Sequence, residues 1–553
     1  MILEPGRAET SLLALVSVFL SLASGLRAEP TRMRIRLLDA ETGRPTPAMA
    51  CIRGRTDGAV RLPPAGKVTT RPTAVEPFYR GIRFEPDSNW IGPVRQTLKD
   101  DRNQDQGGRA DPYEVRPSIP YWNEPVMYQV SGDFTIDLPA GHWRLAVEHG
   151  MEYVPVVEDF EIAPGAPGFT RELVLKRWID LPAKGWWSGD VHVHHPIQEP
   201  AHREYLLHYA VAEDLHVVNI LEMGDHHQTH FKQLGFGKAF RAGRGDFWLV
   251  AGQEDPRSTF GHIIGLNISE LARDTGRYDF YDVAFKKLHQ QPGALVGFAH
   301  LAWNGCDLPR GFPWYVTTGE IDFVEVLQFS KLNAMDYHDY LNLGFRLTAA
   351  AGSDVPWGST IGEVRTYVYT GGKLDIDAWF AGLKSGRSYV TNGPALDFRV
   401  NGAMCGAQID LPAGGGSVKV SARVWGHPKI GVPTHLTVVS NDGVVRELAN
   451  PDRQTELALE FDWPVKESRW LVASTVCDNA AVAHTTPVYV VVNGRPTWSR
   501  EHGPAVIDRQ LAAIAGIERE VAEKADDRSA GIRVRLEKAR VFYADLREKM
   551  SRP

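Results

Sequence analysis

Cysteine is scarce in this chain: Cys51, Cys306, Cys405 and Cys477 are the whole complement in 553 residues, and no two form a C-x-x-C pair. That spacing excludes a zinc ribbon. Three disulfide pairings or isolated buried thiols stay open. An excess of positive charge is also missing. With 61 Lys and Arg against 68 Asp and Glu, the net charge is -7, which leaves no polybasic face for nucleic acid or an anionic membrane surface. A small molecule is the expected partner. Long apolar runs are absent beyond the N-terminus. The one at 11–22 (SLLALVSVFLSL) is too short to span a bilayer comfortably and gives way to the small residues of 23–28. This is the form of a cleaved secretory signal over 1–28, with an uncleaved anchor as the alternative, because Arg7 is offset by Glu4 and Glu9. The expected location is periplasmic or secreted, with no membrane attachment after cleavage. Repeats and low-complexity tracts are lacking too. A 43% hydrophobic fraction excludes a fibre or a disordered chain and allows roughly two to four domains.

The rhythm of the chain changes three times. Over 29–180, alternating stretches such as Met33–Leu38, Phe134–Leu138 and Trp143–Val147, separated by turns, predict a β-sandwich domain. Its Pro- and Asp-rich middle, 85–125, reads as a long loop or insertion. Over 181–396 helical and strand patterns alternate. Strands are expected at 217–223, 247–251, 262–266, 294–300 and 347–354, and helices at 205–215, 282–289, 337–343 and 378–384. Nearly unbroken apolar strands between helices predict a parallel sheet, open or closed. Over 397–498 strands at 418–422, 435–439, 470–474 and 488–492 predict a second sandwich. The tail, 499–553, has helical spacing: Ile507, Leu511, Ile514, Ile517 and Val521 form one seam, and Val534, Leu536, Phe542 and Leu546 belong to a second helix. The seam serves either the chain's own core or a homo-oligomer. The expected class is multidomain α/β plus β.

The chemistry collects at the downstream ends of the middle strands: His192 and His194, Asp225 and His226, Glu254, His300 and Asp354. In βα folds that rim is where functional side chains converge. His192 and His194 point the same way if their segment is a strand. His262 opens a strand eight residues beyond Glu254, and a hairpin there returns it to the rim. Imidazole and carboxylate without thiolate suit Zn, Mn, Fe or Co. Arg257 is a candidate for neutralising substrate charge, and Asp190 a candidate for orienting a ligand imidazole.

The ordered set Asp190-Val-His-Val-His194, Gly224-Asp-His226, Gly252-Gln-Glu254 with Gly261-His262, Phe298-Ala-His300 and Gly352-Ser-Asp354 resembles the PHP (polymerase and histidinol phosphatase) metallohydrolases. Lys176-Arg-Trp-Ile179, the stretch 383–394 (LKSGRSYVTNGP) and His484-Thr-Thr-Pro-Val-Tyr-Val490 are similar to the exported CehA/McbA, carbaryl-hydrolase-like group. The resemblance implies a distorted (β/α)7 barrel flanked by the two sandwiches and the helical tail. It implies one divalent transition metal ion on His192, His194 and Asp354, a second on His262 and His300, and Glu254 between them. The family's third metal uses the histidine at His226, one after the first motif, for which His202 is the nearest candidate, and a final histidine whose place is taken by Pro356. Two cations are therefore expected, with His226 an extra ligand or, like His227 and Asp225, a proton donor. The implied activity is hydrolysis of a carbamate, ester, amide or phosphoester of a small molecule by a hydroxide shared between the metals. The alternative is an exported binding protein for polysaccharide or protein, whose metal site is structural or decayed.

Overall fold

The structure, a computed structural model, describes residues 29–54, 90–93, 127–226, 229–301, 310–355 and 360–552. The signal-like segment, Cys306, His227, Pro356 and, apart from the strand Trp90–Pro93, the 85–125 stretch lie outside them. The chain is mixed α/β with most of its strands in large sheets. No described helix is long and apolar enough to cross a membrane.

At the N-terminal side a three-stranded sheet (Asp133–Leu138, Thr31–Asp39, Phe169–Leu175) faces a five-stranded one built around Ala48–Gly54 and Gly141–Glu148. Alternation along Thr31–Asp39 sends Met33, Ile35 and Leu37 into the shared core with Ile52, Trp143 and Leu145, and sends Arg32 and Arg34 outward.

The middle region is a ring of seven strands. They are β1 (Trp186–Val193), β2 (Val217–Gly224), β3 (Phe247–Ser258), β4 (Gly261–Leu266), β5 (Leu295–Phe298), β6 (Phe323–Gln328) and β7 (Thr348–Ala351). Neighbours pair in that order, all parallel except β4, which runs antiparallel to β3 and β5. Beyond β7 the chain returns to β1: Asp354 N donates to His192 O (2.7 Å) and His194 N to Val355 O (2.8 Å). Helices α1 (Pro200–Ala212), α2 (Tyr281–His289) and α3 (Ala334–Asn342) connect strands of the ring. Val217, Leu221, Val250, Ile264, Leu266, Leu295, Phe323 and Ala350 belong to one buried apolar cluster. Strand β6 had no counterpart among the expected elements.

After the ring, β8 (Arg365–Tyr369) pairs with β1 and with β9 (Ser388–Thr391), and β9 in turn pairs with Val482–Thr485 of the C-terminal sandwich. The sandwich therefore begins within the ring's own hydrogen-bonding network, before residue 397. Helix α4 (Ile376–Lys384) covers β1 with Trp379, whose Nε1 donates to Trp187 O (3.0 Å). The tail forms α5 (Gly503–Ala522) and α6 (Asp527–Ser551). Ile507, Ile514, Ile517 and Val521 are buried in the same cluster as Phe312 and Tyr340, so the seam faces this chain's own core. Val534, expected in the apolar seam of the second helix, is 55% exposed, and Val541 is 60% exposed. Cys51, Cys405 and Cys477 are buried, and no two of them form a disulfide with each other.

Where α3 meets the sandwich, His338 and His484 face each other, Nε2 to Nε2 at 3.0 Å. Burial pushes His484 down to about 4, and burial together with His484 pushes His338 down to about 3. The two neutral rings are thus a native-state property that acid opposes: stability is complete above the unfolded value near 6.5 and is lost as pH falls toward the folded values. Between pH 7 and pH 5, His484 alone should cost about 2 kcal/mol. Urea unfolding at the two pH values, compared with His484→Gln, checks this: the acid-induced loss should shrink by about that amount in the variant.

Candidate metal centre

Six of the side chains singled out above meet inside the mouth of the ring. They form two groups, His192, His194 and Asp354 in one and Glu254, His262 and His300 in the other, each with ligand atoms within 4.8 Å of one another. Glu254 lies between the groups. Its Oε1 is 3.4 Å from His192 Nε2, 3.3 Å from His300 Nε2 and 2.8 Å from His262 Nδ1, and its Oε2 is 3.3 Å from His194 Nε2. The β3–β4 hairpin returns His262 to the rim by pairing it with Arg257. His300 and Asp354 follow β5 and β7 with φ of 64° and 53°. That left-handed conformation costs a non-glycine residue about 1 kcal/mol or more. It is held in place by Asp354 N on His192 O and by His300 N donating to Glu325 Oε2 (3.1 Å).

Hydrogen bonds on the far side of each ring fix what the near side presents. His192 Nδ1 donates to Glu325 Oε1 (2.9 Å), His194 Nδ1 to Leu221 O (3.0 Å) and His300 Nδ1 to Gln328 Oε1 (2.9 Å). Each partner is an acceptor, so the protons sit on Nδ1 and the Nε2 lone pairs point inward. His192 Nε2 and His194 Nε2 then face one another at 3.0 Å, with Asp354 Oδ1 at 3.4 and 3.5 Å. With both rings neutral in these tautomers, acceptors converge there with no donor among them, and a cation, or a proton on His192 Nε2, would satisfy them. Burial works against charge on Glu254, but Arg257, His262 and His192 outweigh it and hold the carboxylate well below its usual range. Burial likewise opposes a proton on His192, yet Glu325, Asp354 and Glu254 raise its pKa well above the ordinary value. Burial and then Arg257 push His262 down to about 3. The centre is a buried concentration of negative charge and lone pairs, which is the condition a divalent cation satisfies. The residues of either group could hold such an ion.

Sequence reasoning missed Glu325 and Gln328. Glu325 is fully buried on β6, and it holds both the His192 ring and the His300 backbone. Gly352 leaves room for it, since a Cβ there would lie 2.4 Å from Glu325 Oε1. A carboxylate inside the apolar run 321–328 (IDFVEVLQ) was the available signal, because burying one without partners is costly.

Five other candidates lie outside the two ligand groups. His226 belongs to neither ligand group: its ring lies on Tyr278 (4.3 Å between centroids), and its Nε2 is 3.9 Å from Asp279 Oδ2. Asp225 faces His230 Nε2 at 3.3 Å. Arg257 Nε lies 2.7 Å from Glu254 Oε2, so its charge is directed at the central carboxylate rather than kept for a substrate. Asp190 orients no imidazole. It accepts the backbone N–H groups of His192 (3.0 Å), Ser353 (3.0 Å) and Gly362 (2.9 Å), tying the first and last ligand segments together. His202, the nearest candidate for a third site, accepts from Gln198 N at Nδ1 (3.2 Å) and is likewise in neither group.

No family model matches the chain, and no curated protein does. Among solved structures, PsfC from Pseudomonas syringae PB-5123 is similar over 36% of this chain and 90% of its own, with 15% identity and a TM-score of 0.25.

Proposed function

We propose that this protein is an exported, binuclear metal-dependent hydrolase of the PHP type, akin to the CehA/McbA group, acting on an uncharged acyl or carbamoyl bond of a small molecule. The observation that carries it is the convergence of Nε2 lone pairs and ionised carboxylates on two adjoining positions, with Glu254 spanning both. His192, His194 and Asp354 would hold one divalent ion, His262 and His300 the other. Bound there, such ions supply Lewis acidity and lower the pKa of a water toward neutrality. The chain's own part is positional. Glu325, Gln328 and Leu221 O lock the imidazoles in one tautomer and one orientation. Arg257 offsets the charge on Glu254.

A leaving-group proton falls to His226 or Asp225 in this reading. Tyr278 OH donates to Gly224 O (2.9 Å) and accepts from Arg257 N (2.9 Å), which sets the Asp225–His226 turn beside the hairpin that bears Glu254 and His262. Among the described residues, three arginines that could serve a phosphate are each paired: Arg257 with Glu254, Arg273 with Asp255, Arg310 with Glu520. That favours a carbamate, ester or amide over a phosphoester.

Purified protein reconstituted with Zn, Mn, Fe or Co should retain about two equivalents of one of them. It should then turn over aryl esters or N-methylcarbamates faster than phosphoesters and lose that turnover on chelation. Protein that takes up no metal under any of these conditions would instead support the non-catalytic binding alternative.

A further inference from the structure

Helix α6 is remote in sequence from every ligand, yet its first two turns grip the segment that clamps the β3–β4 hairpin. Arg528 Nε donates to Asp279 Oδ2 (2.5 Å), and its guanidinium lies 5.6 Å from the ring centroid of Phe260 at the hairpin tip. Two turns further along the same face, Arg535 makes a two-pronged contact with Asp282, Nε to Oδ1 at 2.6 Å and Nη2 to Oδ2 at 3.0 Å, with its guanidinium 4.0 Å over Phe280. Close docking is possible because residue 531 is glycine: a Cβ there would sit 2.3 Å from Phe280 Cζ. Between and beside these anchors stand two tyrosines. Tyr278 OH joins Arg257 N to Gly224 O. Tyr281 OH accepts from Ser258 N (2.9 Å) and donates to Gly261 O, so one hydroxyl crosses the hairpin between Glu254 and His262. Tyr281 is itself stacked on Tyr315, 4.7 Å between centroids.

We infer that α6 is a positioning element for the second cation: Arg528 and Arg535, acting through Asp279 and Asp282 and then Tyr278 and Tyr281, hold the hairpin where Glu254 and His262 meet His300. Among the described residues, no hydrogen bond or ion pair of Arg528 or Arg535 leads to the other ligand group, on β1 and after β7. The inference rests on the two-cation reading above and predicts that damage to α6 separates the two positions.

The test uses full-length protein stripped with chelator and titrated with Co2+, following visible absorption and bound metal. Wild type should take up two equivalents. The Arg528→Ala/Arg535→Ala double variant should fill its first position as wild type does and its second roughly 10- to 100-fold more weakly. The Arg528→Lys/Arg535→Lys pair should recover most of the second affinity, which simple loosening of the fold would not produce. Tyr281→Phe removes the cross-hairpin hydroxyl without touching α6 and should show the same selective loss; it decides the matter if the double variant fails to fold. Equal affinities at both positions in variant and wild type, or parallel weakening of both, overturns the inference while leaving the two-cation reading in place. Uptake of one equivalent or none by wild type overturns that reading and the inference with it.

Discussion

Glu254→Gln should lower turnover by about 10^3-fold or more and leave at most one tightly held cation. The amide keeps the shape of the side chain but offers one neutral oxygen and an N–H2 in place of two anionic oxygens. Both of those oxygens are in use: Oε1 faces His192, His262 and His300, and Oε2 faces His194 and Arg257. Oε2 lies close to Arg257 Nε yet takes no aligned hydrogen bond, so its lone pairs stay directed at the cluster. Removing the carboxylate that lies between the groups abolishes their shared character, whereas Asp354→Asn should impair the first group most, with a smaller effect on the second through His300. Kinetics on the ester and carbamate panel, paired with metal analysis of the same preparations, checks the result. Wild-type rates in Glu254→Gln would remove this centre from the reaction.

Arg177→Met should destabilise the chain by about 3–5 kcal/mol without altering the metal ligands. Arg177 stands where the N-terminal sandwich meets the ring. It donates to Glu152 Oε2 (2.7 Å), to both oxygens of Asp214 (2.8 and 3.0 Å) and to Tyr153 OH (3.1 Å). Glu152 and Asp214 are 1% and 2% exposed, so the variant strands two buried carboxylates. Burial and then the charge on Asp214 raise Glu152 to about 7. A carboxyl whose folded pKa lies above its unfolded value favours folding when protonated and disfavours it as pH rises through the folded value. The deficit of Arg177→Met should therefore be larger at pH 8 than at pH 5. Denaturant midpoints of wild type and variant at both values test it, and a loss below about 1 kcal/mol would mean the pair is screened by water.

The six clustered ligands were legible because each punctuates an apolar strand. His300 follows Leu295–Phe298 and Asp354 follows Thr348–Ala351, where a lone titratable residue stands out against Val, Ala and Phe. Sandwich strands were legible for the same reason, through period-two burial such as that of Thr31–Asp39. What escaped did so for physical causes. Strand β6 carries its acid in the middle, so Glu325 breaks the hydrophobic run that would have marked it. His226 sits at a strand end, where an extra ligand or a proton donor was expected, and what its position could not show is that Tyr278 and Asp279, about 50 positions on in the chain, place its ring. Arg528 and Arg535 lie in a helix whose pattern shows only that one face is buried, and nothing local tells that their carboxylate partners are Asp279 and Asp282. Contacts of this range are set by tertiary packing alone.

The ring is sealed by its own ligand residues, since Asp354 N meets His192 O and His194 N meets Val355 O. The first imidazoles therefore leave the ribosome some 160 residues ahead of the aspartate that completes their group. Contacts so distant form late in folding. Ion capture at that position would then wait until residue 354 of 553 has been made, and it would act as a clasp on two chain segments far apart in sequence.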